Sequence, residues 1–235
     1  MIVVIAPQKV HSMLAPHFQE QVFFIEMPEI QTVLYPLRRH ADMGIHMTPK
    51  GLVIEPSIFD AMNHKLLSIG VCASQIYKGE AELSPQYPKD IAYNCLAIGN
   101  YFFYHAQADP KIIALYKASG FSMISVKQGY VKCSTLGVGQ NAVITEDLNL
   151  YRAFTAANIE TLLIPKGDIL LEGFEYGFIG GTGGFYNKSL FLNGSLKHHS
   201  NQLEILNFIK EQGTDIIELH EEQLNDCGSI FIFDS

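Results

Sequence analysis

The chain has 235 residues, of which 48% are hydrophobic and 17% charged, and its formal net charge at pH 7 is −8. This composition is typical of a folded chain with an extensive core and argues against disorder. The negative charge argues against DNA or RNA as a partner, because nucleic acids need a basic surface. It is compatible with a cationic small-molecule ligand. No apolar run approaches the ~20 residues of a membrane span, which argues against a membrane partner.

The beginning of the chain and the four cysteines bear on the compartment. Residues 1–6 are apolar but too short for a secretory signal, and no basic residue precedes them. They predict a buried strand. The cysteines lie far apart, without the paired spacing of a zinc or redox site. We therefore expect free thiols and a cytoplasmic location.

A lead-in and a first unit come next. Residues 16–21 are compatible with a helix, and residues 22–25 predict a strand. Pro49 and Gly51 occupy turn positions that favour them, and Ser57 is placed to be a helix N-cap. The predicted elements of unit one are a strand at 41–47, a turn at 48–51, a strand at 52–54, a helix at 57–64 and a strand at 66–74.

Unit two repeats this order with clearer boundary signals. Asp109 and Pro110 are suited to the N-cap and first position of a helix, and Gly120 is suited to its end. An aromatic run at 101–104 favours a strand. The other predicted elements are strands at 93–98 and 121–126.

Units three and four have the same order, and unit five is cut short. For unit three we predict strands at 133–138, 142–145 and 159–164 and a helix at 148–157 capped by Asp147. For unit four we predict strands at 178–185, 189–192 and 215–219 and a helix at 201–212. For unit five we predict one strand at 227–233.

The units begin near Asp42, Asn94, Cys133, Gly180 and Cys227, at intervals of about 40–50 residues, a spacing typical of repeat architectures. An open ring would leave an exposed strand edge. We therefore expect the N-terminal strand to complete the fifth unit. No linker or shift in composition divides the chain, so residues 1–235 are predicted to form a single domain.

Five ββαβ units around one axis resemble the pentein fold of the guanidine-modifying enzymes, which include arginine deiminases and amidinotransferases. The segments 87–94 and 180–184 are also similar to an uncharacterised bacterial branch of that fold. The resemblance implies a five-bladed α/β propeller with pseudo-fivefold symmetry. It also implies a small, cationic guanidino or amidino ligand at the axis, and chemistry that needs no organic cofactor.

Cys227 falls where the superfamily carries its nucleophilic cysteine, at the start of the last unit's strand. The chemistry requires a thiolate that attacks the planar guanidinium carbon. A carboxylate pair must hold the cation, because a guanidinium offers forked donors. The resemblance therefore assigns the attack to Cys227 and the grip on the cation to Asp42 and Asp226.

His40 and Asp42 alternate along the predicted first strand, so that His40, Asp42 and His46 are expected on one face. A histidine beside an acid can serve as general base, which assigns proton transfer to His40. The same three side chains could instead bind a divalent metal ion, a second hypothesis. A surface or capping role for His40 and Asp42 also remains open.

Four further residues are predicted to contact the ligand. Asn94 and Cys133 fall at matching strand starts and should line the same centre. Gly181 and Thr182 belong to a glycine-rich stretch whose N–H groups could cradle an anion. The glycines could equally let strands crowd near the axis.

A non-catalytic role is the main alternative. Unit four has Gly-Gly-Thr-Gly-Gly where the superfamily pattern predicts a histidine, and unit two has Asn94 and Cys95 where it predicts acids. These departures favour a binding or scaffold protein with the same fold. Buried free cysteines are also common without any reactivity.

Overall fold

A computed structural model describes residues 1–235. Fifteen strands form five separate three-stranded sheets, one for each unit. The strands are β3 (Ile45–Thr48), β4 (Gly51–Ile54) and β5 (Ile76–Lys78) in unit one, β6 (Leu96–Ile98), β7 (Tyr101–Tyr104) and β8 (Ser122–Ser125) in unit two, β9 (Thr135–Gly137), β10 (Ala142–Thr145) and β11 (Glu160–Leu163) in unit three, β12 (Gly183–Tyr186), β13 (Ser189–Leu192) and β14 (Asp215–Glu218) in unit four, and β15 (Phe231–Asp234), β1 (Ile2–Ile5) and β2 (Val22–Ile25) in unit five.

Every sheet has the same internal order. The first strand pairs antiparallel with the second, and the second pairs parallel with the third. One helix connects the second strand to the third, as a parallel crossover requires. The helices are α1 (Gln8–Leu14), α2 (Ala41–Gly44), α3 (Phe59–Ser68), α4 (Pro110–Ala118), α5 (Leu148–Ala156) and α6 (Gln202–Glu211). None of them combines the length and apolar character needed to cross a bilayer.

The N-terminal strand completes the fifth sheet, as predicted. β1 lies between β15, its antiparallel partner, and β2, its parallel partner. Val3 and Val4 in the middle of β1 are fully buried. The first and last segments of the chain are therefore held in one sheet.

The first strands of all five units surround a central bore of about 260 Å³, whose lining includes residues of β3, β6, β9, β12 and β15. We call them the inner strands. This radial arrangement is the predicted five-bladed α/β propeller with pseudo-fivefold symmetry. The N-terminal ends of the inner strands meet at one end of the bore, and the residues just before them form the candidate site.

The predicted helix starts at Asp109 and Asp147 are confirmed. The Asp109 carboxylate accepts hydrogen bonds from the N–H groups of Lys111 and Ile112. The Asp147 carboxylate accepts from the N–H groups of the second and third helical residues. Each carboxylate satisfies N–H groups that have no partner within the helix.

The strand predicted at residues 41–47 is wrong in its first half. Residues Ala41–Gly44 form a single helical turn, and the strand begins at Ile45. The N–H of Asp42 donates to the carbonyl of Gly228, and its carbonyl accepts from the Asn94 side chain. These contacts between units replace a strand ladder, so the alternation that grouped His40, Asp42 and His46 does not apply.

The predicted bounds of the first helix and of the helix and last strand of unit one are also wrong. In both regions the helix covers the residues whose buried side chains recur at helical spacing, and not the residues that the local sequence favoured. Val10 and Leu14 are buried one helical turn apart, so the N-terminal helix lies at Gln8–Leu14 and not at residues 16–21. Met62 and Leu66 likewise extend α3 to Ser68, which displaces the predicted strand at 66–74 to Ile76–Lys78. Ser57 does not cap this helix; its N–H donates to the Glu55 carboxylate.

Candidate functional site

A cavity of about 250 Å³ opens where the chain runs into the inner strands, and we call it the site cavity. The segments that lead into the inner strands of units one, three and five contribute to its wall. The connection between units three and four supplies much of the apolar part. The lining residues are Leu37, His40, Met43, Tyr130, Cys133, Leu171, Phe174, Glu175, Tyr176, Phe178 and Asp226.

His40 and Asp226 form the ionisable pair of the site cavity. The His40 Nδ1 lies 3.7 Å from Asp226 Oδ1, and both residues are more than nine-tenths buried. The Asp226 carboxylate also accepts hydrogen bonds from the N–H groups of Gly228 and Phe178, each at 3.0 Å. Burial raises the pKa of the Asp226 carboxyl, the neighbouring His40 opposes this rise, and the charge of Asp42 adds to it. The pair can hold a cation and exchange a proton with it.

Cys133 brings a thiol to the same cavity. The Asn94 side chain forms two hydrogen bonds with Cys133. Asn94 Nδ2 donates to Cys133 Sγ at 2.7 Å, and Asn94 Oδ1 accepts from the Cys133 N–H at 3.0 Å. Burial raises the pKa of the Cys133 thiol well above its usual value, and the charges of Asp42 and Asp226 act in the same direction. The Asn94 hydrogen bond and the charge of Lys132 partly oppose this rise.

Asp42 is fully buried and does not line the site cavity. Its Oδ2 accepts a hydrogen bond from the Ser229 hydroxyl at 2.6 Å, and its Oδ1 has no partner. Lys132 Nζ donates to the Ser229 Oγ and to the Gly180 carbonyl, both at 2.9 Å. Lys132 lines the bore and its neighbour Cys133 lines the site cavity, so this network lies between the two spaces.

Cys227 faces a different environment from the other predicted site residues. It is buried in an apolar cluster that includes Val4 and Val10, and it is not among the residues that line the site cavity. Its Sγ lies 3.5 Å from the Gly181 carbonyl. Burial, reinforced by the charge of Asp226, raises the pKa of the Cys227 thiol to about 12. The structure therefore brings together His40, Asp226 and Cys133 and leaves Cys227 outside this group.

Gly181 and Thr182 act within the protein scaffold. The Gly181 carbonyl accepts from the N–H groups of Cys227 and Ser229, and its own N–H donates to the Phe178 carbonyl. A Cβ on Gly181 would overlap with the Asp226 carboxylate. Thr182 is buried and its hydroxyl donates to a carbonyl within its own helical turn. The glycine permits a close approach between units, which is the crowding role, and its N–H is not free to cradle an anion.

The three side chains of the metal hypothesis do not converge. The His46 ring nitrogens contact the Tyr93 carbonyl at 3.2 Å and the Tyr116 hydroxyl at 3.0 Å. Burial lowers the pKa of His46 to about 4, so its ring is neutral. No three His, Cys, Asp or Glu side chains are grouped so that they could hold a metal ion.

The main contribution that the sequence did not reveal is residues 171–178, in the connection between units three and four. This segment supplies the cavity residues Leu171, Phe174, Glu175, Tyr176 and Phe178. Phe174, Tyr176 and Phe178 alternate along the chain, and this alternation was the signal in the sequence that could have indicated an apolar wall. Tyr130, whose hydroxyl donates to the Asp90 carboxylate, was also missed.

Solved structures with a similar fold include a dimethylarginine dimethylaminohydrolase, an agmatine deiminase and an amidinotransferase. The chain superposes on dimethylarginine dimethylaminohydrolase, in an adduct with 4-chloro-2-hydroxymethylpyridine, with a TM-score of 0.61 at 12% identity over 92% of this chain and 90% of that chain. The TM-score with Campylobacter jejuni agmatine deiminase is 0.52, at 13% identity over 92% of this chain and 75% of that chain. The TM-score with inosamine-phosphate amidinotransferase from Streptomyces griseus is 0.52, at 12% identity over 92% of this chain and 76% of that chain.

At these identities the similarities show the fold alone, which is the pentein-like five-bladed α/β propeller. No curated protein matches the sequence. Residues 7–231 match one family model, and the chain belongs to that family, described as "Family of unknown function (DUF6873)".

Proposed function

We propose that the chain binds a small guanidino or amidino compound in the site cavity and acts on it as a thiol-dependent hydrolase or transferase. One observation carries the proposal: an acid, a histidine and a thiol, Asp226, His40 and Cys133, line the same cavity. The shared fold with enzymes named for guanidino substrates supports it.

The acidic residues suit a cationic ligand. A guanidinium presents parallel N–H donors, which carboxylates accept in a charge-assisted pair. In this proposal Asp226 holds the cation from the cavity wall. Asp42, whose Oδ1 has no partner, is the second member of the pair predicted from the sequence. His40, 3.7 Å from Asp226, transfers protons.

Two cysteines compete for the role of nucleophile. Cys227 is the residue predicted from the sequence, and attack by it would require its side chain to turn from the apolar cluster towards the cavity. Cys133 lines the cavity in its present position. A bound cation favours the thiolate form of either thiol by Coulomb attraction.

The proposed reaction balances without a cofactor. The thiol gives its proton to His40, and the resulting thiolate attacks the guanidinium carbon. The bond from that carbon to one nitrogen then breaks, and the nitrogen leaves as ammonia or an amine with the proton returned by His40. Water then cleaves the carbon–sulfur bond of the thiouronium, which restores the thiol and yields a urea-type product. In a transferase, a second amine takes the place of water.

A non-catalytic binding protein is the second candidate. The raised pKa values of both Cys133 and Cys227 favour it, since neither thiol is ionised at neutral pH in the free protein. A cytoplasmic location stays a prediction from the sequence.

The experiment that tests the proposal is a turnover assay over a panel of guanidines and amidines. It measures release of ammonia or amine by the wild type and by Cys133→Ser, Cys227→Ser and His40→Ala. Intact-mass analysis of rapidly quenched reactions would detect the thiouronium adduct. We expect turnover that one of the two cysteine variants abolishes.

Cys72→Ser is the matched control, because Cys72 is exposed and lies outside the cavity. If panel compounds bind but none is turned over by the wild type, the binding alternative replaces the enzyme. If no compound binds, the assignment of the site cavity to guanidino ligands is wrong.

A further inference from the structure

The wall of the site cavity is apolar apart from its acidic and histidine groups. The apolar wall is formed by Leu37, Met43, Leu171, Phe174, Tyr176 and Phe178. The ionisable residues besides Cys133 and the tyrosines are His40, Glu175 and Asp226. No lysine or arginine lines the cavity. A ligand that carried a carboxylate besides its cation would therefore place that carboxylate against apolar or acidic groups, at a cost in desolvation.

The basic residues nearest in the chain are engaged elsewhere. Arg39 forms ion pairs with Glu26 and Glu29, both at 3.1 Å. The Arg38 guanidinium lies over the Tyr35 ring, 5.7 Å from its centroid.

Lys132, next to Cys133, donates to the Gly180 carbonyl and to Ser229 and lines the bore. The N–H groups of Gly180 and Gly181 donate to protein carbonyls. None of these basic side chains or glycine N–H groups lines the site cavity.

The rim continues the apolar surface outwards. Phe174 lines the cavity and is 41% exposed, and Tyr35, close in sequence to Leu37, is 76% exposed. The segments of these two residues meet, since a Cβ on Gly173 would lie 3.0 Å from Pro36. On another side, the exposed Tyr87 packs on Tyr130 with 5.8 Å between ring centroids. These exposed aromatic side chains offer an apolar group a surface on which it can pack beside the cavity.

We infer that the site cavity selects a guanidine or amidine whose tail is aromatic or aliphatic and carries no carboxylate. This inference rests on the proposed function and names its substrate class. The cationic head pairs with Asp226. The tail lies between Phe174 and Phe178 and reaches the rim, where burial of its apolar surface adds to affinity. Amino-acid guanidines such as arginine are discriminated against.

Calorimetric titration with phenylguanidine, benzamidine, agmatine, arginine and benzamide tests this. Phenylguanidine and arginine differ in the tail, and benzamidine and benzamide differ in the charge of the head. We expect phenylguanidine to bind at least tenfold more tightly than arginine, and benzamidine at least tenfold more tightly than benzamide. Agmatine, which lacks the carboxylate but is not apolar, should lie between phenylguanidine and arginine.

Two variants locate the selectivity. Phe174→Ala should weaken phenylguanidine about tenfold and leave arginine unchanged, and Leu203→Ala is its control on a distant, exposed site. Phe174→Arg should reverse the preference by supplying a partner for the carboxylate. If wild-type protein binds arginine as tightly as phenylguanidine, the inference is wrong while the proposed function stands. If no cation binds, both are wrong, and if benzamide equals benzamidine, the cavity is an apolar site without cation recognition.

Discussion

Units three and five lead into their inner strands with the same residue type, yet the two cysteines face different environments. Cys133 lines the site cavity, held by Asn94. Cys227 lies in an apolar cluster against β1 and α1, and its neighbour Asp226 faces the cavity in its place. The repeat fixes where the backbone enters each inner strand. In unit three the cysteine itself faces the site cavity, whereas in unit five the residue before the cysteine does.

The turn after Cys227 accounts for the difference. Gly228 and Ser229 both have positive φ, at 77° and 68°. A Cβ on Gly228 would overlap with His40, so a glycine is needed for the close approach of unit one. The strained Ser229 is held through its hydroxyl, which donates to the Asp42 carboxylate and accepts from Lys132 Nζ. Unit three has no such turn before β9.

The largest expected effect concerns Gly180, which packs directly against the segment that carries Cys133. A Cβ on Gly180 would overlap with the carbonyl oxygens of Lys132 and Thr135, which are backbone atoms that cannot turn aside. Gly180→Ala should therefore lower the free energy of unfolding by about 3 kcal/mol or more, measured by denaturant titration.

Gly137→Ala is the matched control, since an added Cβ there meets nothing within 4 Å. It should change stability by less than about 1 kcal/mol. Equal losses in the two variants would show that the packing of unit four on unit three does not depend on this close approach.

The sequence was sufficient to predict the repeat, because turn residues separate the first two strands of units one to four, and Asp109 and Asp147 cap the helices of units two and three. It also assigned His40 and Asp226 to one site, His40 from an incorrect strand over residues 41–47 and Asp226 from the resemblance to the guanidine-modifying enzymes. The orientation of Cys227 depends on packing between units, which no local pattern encodes. The wall supplied by residues 171–178 belongs to a connection outside the repeat.

Asp226 is the residue of unit five that lines the site cavity. Asp226→Asn removes the charge and keeps the shape, so it should weaken binding of a guanidine or amidine cation about a hundredfold, measured by calorimetry. Asp215→Asn, at an exposed aspartate in β14, is the control. An affinity within about threefold of wild type would remove Asp226 from cation binding.

The pH dependence of the same binding provides a second measurement. Burial raises the pKa of Asp226, and only the ionised carboxylate attracts the cation. Affinity should therefore fall as the pH is lowered through this raised pKa, and binding at pH values near it should release a proton. The Asp226→Asn variant should lose this dependence, and retention of the full dependence would assign it to another group.

A smaller effect is expected at the end of the second strand, where unit three has Glu146 and unit five has Ala6. Glu146 is buried with neither oxygen hydrogen-bonded, and burial raises its pKa to about 8. The unfolded state loses this proton near pH 4.5 and the folded state near pH 8. Stability from this group is therefore present below pH 4.5 and lost as the pH rises through 8.

Glu146→Gln should consequently be more stable than wild type by about 2 kcal/mol at about pH 9 and close to it near pH 4.5, measured by chemical denaturation. Glu211→Gln, at an exposed glutamate of α6, should show no such change with pH. A constant difference between Glu146→Gln and wild type across this range would mean that Glu146 is ionised in the folded protein throughout.

The two thiols can be compared directly by alkylation. Burial raises the pKa of both thiols. Cys133 lines a cavity that a small cation can enter, whereas Cys227 is enclosed by apolar side chains. Chloroacetamidine, an alkylating cation, should therefore modify Cys133 at least about tenfold faster than Cys227, read by peptide mass spectrometry. The exposed Cys72 reports the intrinsic rate in the same sample.

Protection of Cys133 by phenylguanidine would tie its reactivity to the cavity. Faster modification of Cys227 would instead mean that the apolar cluster opens and that unit five, not unit three, supplies the reactive sulfur.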